Sequence, residues 1–446
     1  MKTLAALLFS AALLPSVAAQ PGASANPSPR PAKVEIRKEN GHFRLYRDGL
    51  PYFINGAVYI GDGAGKFPLN DIASCGGNSI RMSARLDGGE TLRTLEEAQR
   101  LGMTALVNLP MRMESVSNFN YSDPVAVSRQ FDEMKKLVIA FKDHPAVLMW
   151  AIGNELSVDY KDRNVWNAVN DVAKMIHAVD PNHPVLTVIG DGGLNGGDIG
   201  EIQRRAPNLD LLGINYYQGI EDVAAIIRAE HWDKPYLVTE WGPSGDWQVK
   251  RTAWGASIEE SSTEKAQLQI DRYRNAILAD SERCLGSYVF IWHDRHERTE
   301  TWYGMFLESG ERTERVNAMQ YLWTGQWPAK RAPVIEALTI DGKLAASSVY
   351  LKPGSSHTAT LQVRARDPKG DPLVLRWEIM HEVMRAGYAG IGEKRSQPIS
   401  GVIQKADERD FVFTAPKLEG AYRVFVYVLD SQGNAATANI PFFVRP

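Results

Sequence analysis

Two glutamates stand at the ends of apolar runs in this chain. Glu155 follows 147–152 (VLMWAI) as Gly153-Asn154-Glu155, and Glu240 closes Leu237-Val-Thr-Glu240-Trp241-Gly242. A single carboxylate at a strand end is most often a solvated loop group or an ion-pair partner. Two that face each other can divide labour: one protonates a leaving oxygen while the other attacks carbon or activates water. Cleavage of a glycosidic bond needs that arrangement.

The elements that would bring them together are legible as a rhythm. Short apolar or β-branched runs occupy 52–57, 78–82, 104–109, 147–152, 185–189, 211–216, 235–239 and 285–291, with helical candidates at 91–101, 126–142, 162–179, 220–229 and 263–279. Strand signals alternating with helices over roughly 250 residues predict a (β/α)8 barrel, an α/β fold whose strand ends converge on one mouth. Glu155 and Glu240 end its fourth and seventh strands. The rival architecture, an open doubly wound sheet, wants a glycine-rich phosphate turn after its first strand. The one candidate, Gly61-Asp62-Gly63-Ala64-Gly65-Lys66, fits neither the dinucleotide nor the P-loop pattern.

The barrel segment is taken as 34–330, opened by a β-hairpin across Asn40-Gly41. Residues 1–19 read as a secretory signal peptide, with a basic start, an apolar Leu4–Leu14 stretch and small residues at Val17-Ala18-Ala19. Residues 20–33 read as a Pro/Ser/Ala-rich leader without fixed structure. The expectation is a secreted or periplasmic protein with no membrane span. From 331 to 446 the pattern becomes short alternating strands between Gly/Pro/Asp turns, a C-terminal β-sandwich. Cys75 and Cys284 allow one disulfide or two buried thiols, and sequence leaves both open.

Composition narrows the partners. The 446 residues carry 50 Lys+Arg against 53 Asp+Glu, a formal charge of −3, which offers no basic footprint for nucleic acid. No nucleophile elbow, zincin helix or spaced cysteine set is present. His293-Asp-Arg-His296-Glu297 has metal-like spacing, but its position beside Trp292 on a mouth loop favours substrate contact by His293 over a metal. Asp367, Asp371 and Asp430 are turn carboxylates, read as solvated rather than as a Ca²⁺ site. Neither metal nor cofactor is called for, and the oligomeric state is left open.

Trp-x-x-Gly-Asn154-Glu155 and Thr-Glu240-Trp241-Gly resemble the acid/base and nucleophile strings of glycoside hydrolase clan A, whose members are retaining barrel glycosidases. The resemblance covers roughly residues 34 to 327. It implies that Glu155 is the acid/base and Glu240 the nucleophile, with a covalent glycosyl-enzyme intermediate. Residue by residue, it implies that Arg81 keeps the nucleophile ionised, Asn154 binds the sugar 2-hydroxyl, Tyr217 touches the nucleophile, and Trp292 floors the sugar site. Alternation along the sixth run places Asn215 and Tyr217 on one face and Tyr216 on the other.

Family 2 β-galactosidases and β-glucuronidases carry large sandwich domains before the barrel, where only a hairpin is seen here. The entry into the barrel looks more like that of family 5-type endoglycanases or cell-wall β-glucanosyltransferases. The sandwich is similar to polycystic-kidney-disease-like and cadherin-like modules on the strings 367–371 and 422–430.

The tryptophans are concentrated. None precedes Trp150, ten lie between 150 and 327, and only Trp377 lies beyond. Trp241, Trp247, Trp254, Trp292 and Trp302 follow the last two strand runs and are read as mouth residues, because Trp faces stack on sugar C–H faces. The expected substrate is a β-linked polysaccharide or oligosaccharide such as a β-glucan. A transglycosylase using the same two glutamates, an inverting enzyme and a non-catalytic carbohydrate-binding barrel are the alternatives.

Overall fold

The computed structural model describes residues 30–61, 66–86, 89–365, 372–383, 393, 396–406 and 409–446. The signal-peptide reading, most of the leader, and Asp367 and Asp371 lie outside the described residues.

Strands β1 (Val34–Glu39), β2 (His42–Arg47) and β3 (Leu50–Tyr52) form a small antiparallel sheet. Its turns, Asn40-Gly41 and Asp48-Gly49, have positive φ at both central residues, which suits the twist of a two-residue hairpin. This sheet plugs the barrel end opposite the mouth. Val34 N–H donates to Asn182 O (2.9 Å) and Phe43 N–H to Glu282 O (2.7 Å), both acceptors lying just before barrel strands.

The eight runs become β4 (Ile54–Val58), β5 (Ser79–Ser83), β6 (Thr104–Leu109), β7 (Val147–Ile152), β8 (Val185–Ile189), β9 (Leu211–Asn215), β10 (Tyr236–Trp241) and β11 (Cys284–Val289). They are parallel, and pairing of Gly286 with Ile54 closes β11 onto β4. Both faces of most of these strands are buried, one in the barrel and one under helices, which explains continuous apolar runs instead of alternation. Ile54, Leu106, Leu186, Leu237 and Tyr288 help fill the interior. Gly56 is required there, since a Cβ would lie 2.3 Å from the Tyr288 ring.

Five helices fall where the periodicity puts them, at Glu90–Arg100, Pro124–Phe141, Asn164–Val179, Val223–Ala229 and Ser262–Arg272, the last opened by a Ser261/Glu264 capping box. Helix Glu314–Thr324 follows the eighth strand and covers Trp292 through Trp323.

At the C-terminal end, a pair of sheets face each other: β12 (Arg312–Thr313), β14 (Val349–Leu351), β16 (Val374–His381), β19 (Gly420–Leu429) and β20 (Asn434–Val444) against β13 (Val334–Ile340), β15 (Ser356–Arg364), β17 (Ile403–Ala406) and β18 (Asp410–Thr414). Trp377 stacked on Phe411 (4.9 Å) and a Tyr422–Phe442 pair (5.6 Å) lie in the core of this sandwich. β12 arises from the loops after the barrel's last strand and pairs with β20, so the sandwich continues from the barrel without a free joint. Asp430 accepts from the Gln432 and Asn434 backbones (2.9 and 2.8 Å), committing its oxygens to the β19–β20 turn. Cys75 and Cys284 are separate buried thiols, which resolves the open alternative against a disulfide.

Candidate active site

The mouth is built from strand ends. Arg81 lies at the middle of β5, only 5% exposed, between the buried apolar side chains of Ile80 and Met82. After β7 the chain turns sharply: Gly153 has φ +70° and Glu155 has φ +48°, while Glu155 N–H donates to Val188 O (2.9 Å). A left-handed glutamate costs about 1 kcal/mol, and such strain persists where the surroundings over-determine it. On β10 the pairing with β9 slips between Val238 and Glu240, a bulge that turns Glu240 at the strand end.

One guanidinium organises the floor. Arg81 Nη1 donates to Glu240 Oε1 (2.7 Å) and Thr239 O (3.2 Å), and Nη2 donates to Asn154 Oδ1 (2.6 Å). Asn215 Nδ2 donates to Glu155 Oε1 (2.9 Å) and Asn154 Oδ1 (3.0 Å), and its own Oδ1 is fixed by the Thr239 hydroxyl (2.8 Å). Tyr217 Oη donates to Glu240 Oε2 (3.2 Å). Burial, with the Glu240 carboxylate beside it, raises the Tyr217 pKa well above its ordinary value, so the phenol is a neutral donor. Glu155, Glu240, Asn215 and Tyr217 line one cavity of about 570 Å³. Arg81 and Asn154 support that cavity through the contacts above. Tyr216 points the other way and bonds Asn195 (3.1 Å), as strand alternation predicts.

Three expectations are corrected. Trp241 is wholly buried, its ring 5.7 Å from Tyr273 on the helix side of β10. It neighbours inward-facing Glu240, and adjacent strand residues face opposite ways. Trp292 is also fully buried, stacked 5.8 Å from Trp323 and 5.6 Å from Phe306, and so is no platform for sugar. Its backbone N–H donates to Val58 O, which continues the β11–β4 pairing and turns the ring outward. His293 lies away from the cavity lining, its ring 4.4 Å from Phe67 and its Nδ1 2.7 Å from Asp294 Oδ1. Of the other tryptophans read as mouth residues, Trp302 is buried and donates to Ser244 O (2.9 Å), while Trp254 packs on Tyr350 and Phe443 of the sandwich. Trp247 alone of the five lines the cavity, 40% exposed and held by Asp191 Oδ2 (3.0 Å).

The sequence did not single out several lining groups: Asp159, Asp191, Phe290 and Glu297; Tyr303, which opens a Tyr-Gly-Met string resembling the clan's closing segment, lines the cavity with them. Glu297 belongs to the metal-like string, where spacing drew attention to the histidines instead. Its carboxyl is pushed up from the usual range by burial, with Glu240 adding to the effect and Arg295 opposing it.

Residues 92–245 match the family model for glycosyl hydrolases family 2, TIM barrel domain. The chain is 25% identical over 236 residues to a beta-glucuronidase of Paenibacillus borealis, covering 44% of this chain and 37% of that protein. It is 22% identical over 246 residues to a beta-glucuronidase of Streptococcus agalactiae serotype V, covering 47% and 39%. It thus spans about two fifths of the length of the curated relatives it matches. Among solved structures, an FMN-binding beta-glucuronidase from Facaelibacterium prausnitzii L2-6 superposes with a TM-score of 0.50 at 15% identity, over 93% of this chain and 59% of that one. That likeness is one of fold. The segment carrying Glu155 and Glu240 is therefore similar to the family 2 glycosyl hydrolase barrel.

Proposed function

We propose that this chain is a retaining glycoside hydrolase acting on β-linked glycosides, with Glu240 as nucleophile and Glu155 as acid/base. The observation that carries the reading is the two-sided grip on Glu240, by Arg81 (2.7 Å) and Tyr217 (3.2 Å), in the same cavity as Glu155. In the first step a Glu240 oxygen bonds to the anomeric carbon as the bond to the leaving oxygen breaks, and Glu155 gives that oxygen its proton. In the second, Glu155 takes a proton from water, the water oxygen bonds to the anomeric carbon, and the ester to Glu240 breaks. Asn215 orients Glu155 throughout, and Asn154, held by Arg81 and Asn215, is assigned to the sugar 2-hydroxyl in this reading.

The substrate class is a neutral β-linked glucan or similar saccharide, and the exposed face of Trp247 beside Tyr217 supports it, since it offers a stacking surface at the cavity. Export through residues 1–19 belongs to the same reading and rests on their sequence pattern.

The test is product analysis on a panel of β-glucans, with the anomer followed by NMR. Retention, loss of turnover in Glu240→Gln, and azide rescue of Glu155→Ala on activated substrates are expected. Products longer than the substrate in the presence of acceptor sugars would assign the second step to a sugar hydroxyl. Inversion would overturn the nucleophile assignment, and binding without turnover would overturn the enzyme reading.

A further inference from the structure

The two-carboxylate mechanism leaves three further cavity carboxylates, Asp159, Asp191 and Glu297, and of these Glu297 is the buried one. Glu297 lines the same cavity as Glu155 and Glu240, is 9% exposed, and accepts from Arg295 Nε (2.8 Å). The Arg295 guanidinium in turn lies 5.5 Å from the ring of Phe290, another lining residue. One wall therefore carries an ion pair, and its acidic member shares the cavity with the carboxylates of Glu155, Asp159, Asp191 and Glu240.

That wall is fixed from outside the barrel. The next residue, Arg298, has φ +62° and is 7% exposed. Its N–H donates to Glu393 Oε2 (2.7 Å), its Nη1 to Glu393 Oε1 (3.1 Å) and its Nη2 to Val383 O (2.7 Å), all in the connection that leaves β16 of the sandwich. Further along, Thr299 and Thr301 donate to Glu259 (2.7 and 2.8 Å), which also receives Asn439 Nδ2 of β20 (2.6 Å). The sandwich thus grips the segment bearing Glu297 at two points.

We propose that Glu297 is a specificity-determining residue that makes the cavity select uncharged sugars over uronic acids, and that Arg298 and Glu393 are positioning residues by which the sandwich holds it there. The proposal rests on the glycosidase reading and names the substrate class of that site. A sugar carboxylate would enter beside Glu297, Glu240 and Asp191, and like charges in a half-desolvated cavity repel strongly. A sugar hydroxyl donates to such a carboxylate. The Arg295 guanidinium beside Glu297 is engaged by it. Replacing Glu297 by a neutral residue removes one repulsive charge and releases some of the Arg295 charge toward the cavity.

The experiment compares 4-nitrophenyl β-glucoside with 4-nitrophenyl β-glucuronide, by kcat/KM where turned over and by calorimetric Kd where not, in wild type, Glu297→Gln and Glu393→Gln. Wild type is expected to favour the glucoside by about 30-fold or more, and Glu297→Gln to shrink that ratio by about tenfold, with the change in KM rather than kcat. Glu393→Gln is expected to shift the ratio the same way by about threefold, which a merely structural loss would not do, since that lowers both substrates alike. A wild type that takes the glucuronide as well as the glucoside overturns the proposal while leaving the glycosidase reading intact. So does a ratio unchanged in a folded Glu297→Gln. Should that variant fail to fold, the wild-type ratio still decides. If wild type neither turns over nor binds either compound, both readings fall.

Discussion

Arg81 bridges Glu240 and Asn154: its Nη1 lies 2.7 Å from the first residue's Oε1 and its Nη2 2.6 Å from the second's Oδ1. A planar fork can hold both at once, and a lysine, with one compact charge on a flexible stem, cannot. Arg81→Lys should therefore keep the charge beside Glu240 but lose the register between nucleophile and 2-hydroxyl ligand. The expected result is a drop in kcat of about 10²–10³ with a small change in KM, of the size seen when a transition-state donor is lost. Steady-state kinetics on an activated aryl glycoside measures it, and a kcat within threefold of wild type would contradict the role.

Tyr217 reaches the other oxygen of Glu240 at 3.2 Å. A hydrogen bond to a charged group is worth about 1.5–3 kcal/mol, so Tyr217→Phe should lower kcat by about 10- to 100-fold. The pH dependence separates this from a titrating role. Because burial and the neighbouring Glu240 raise the Tyr217 pKa, the phenol keeps its proton up to its ordinary value of 10 and beyond. The substitution should lower the whole pH–rate profile without moving its alkaline limb. A shifted alkaline limb would mean that Tyr217 exchanges protons during turnover.

Much of this site can be read in the sequence because strand ends carry it. Glu155, Asn215 and Glu240 follow or close apolar runs that are unmistakable, since buried parallel strands read as unbroken hydrophobic stretches, while Arg81 is a lone charge inside the mixed strand Ser79–Ser83. Parity also separates Tyr217 from Tyr216, and applied to Glu240 it would have turned Trp241 away from the mouth. Trp292 escapes such reasoning because it lies past the end of β11, where the period of two lapses and the packing of a later helix decides. Glu297 is hidden for a different reason: its position depends on Glu393, 96 residues away in another domain, a relationship without any local signal. Short helices such as Asp191–Asn195 and Asp198–Arg205 are likewise illegible, being glycine-broken or mostly polar.

Burial raises the Cys75 thiol to about 11 and the Cys284 thiol to about 12. At pH 8 only about one Cys75 in 10³ is then a thiolate, the reactive form, and fewer still at Cys284. Native protein should show no fast reaction with a thiol reagent at pH 8, and two equivalents should appear in denaturant without reductant. A single fast equivalent in the native state would place one cysteine at the surface, and none in denaturant would mean a disulfide.

Trp247 and Trp292 make opposite predictions from the same residue type. Trp247 is 40% exposed, lines the cavity and stands edge-on to Tyr217 at 5.9 Å. Trp247→Ala should raise KM for oligosaccharides by about tenfold, as expected for losing roughly 1.4 kcal/mol of ring stacking, and leave the unfolding temperature nearly unchanged. Trp292 is fully buried between Trp323 and Phe306. Trp292→Ala leaves a cavity in the packing between barrel and helix, at a cost of about 3–5 kcal/mol, and should lower the unfolding temperature by several degrees. In the fraction that remains folded, KM should match wild type. Paired thermal melts and kinetics on both variants decide the matter: a KM effect confined to Trp292→Ala would restore Trp292 as the sugar platform and remove Trp247 from that role.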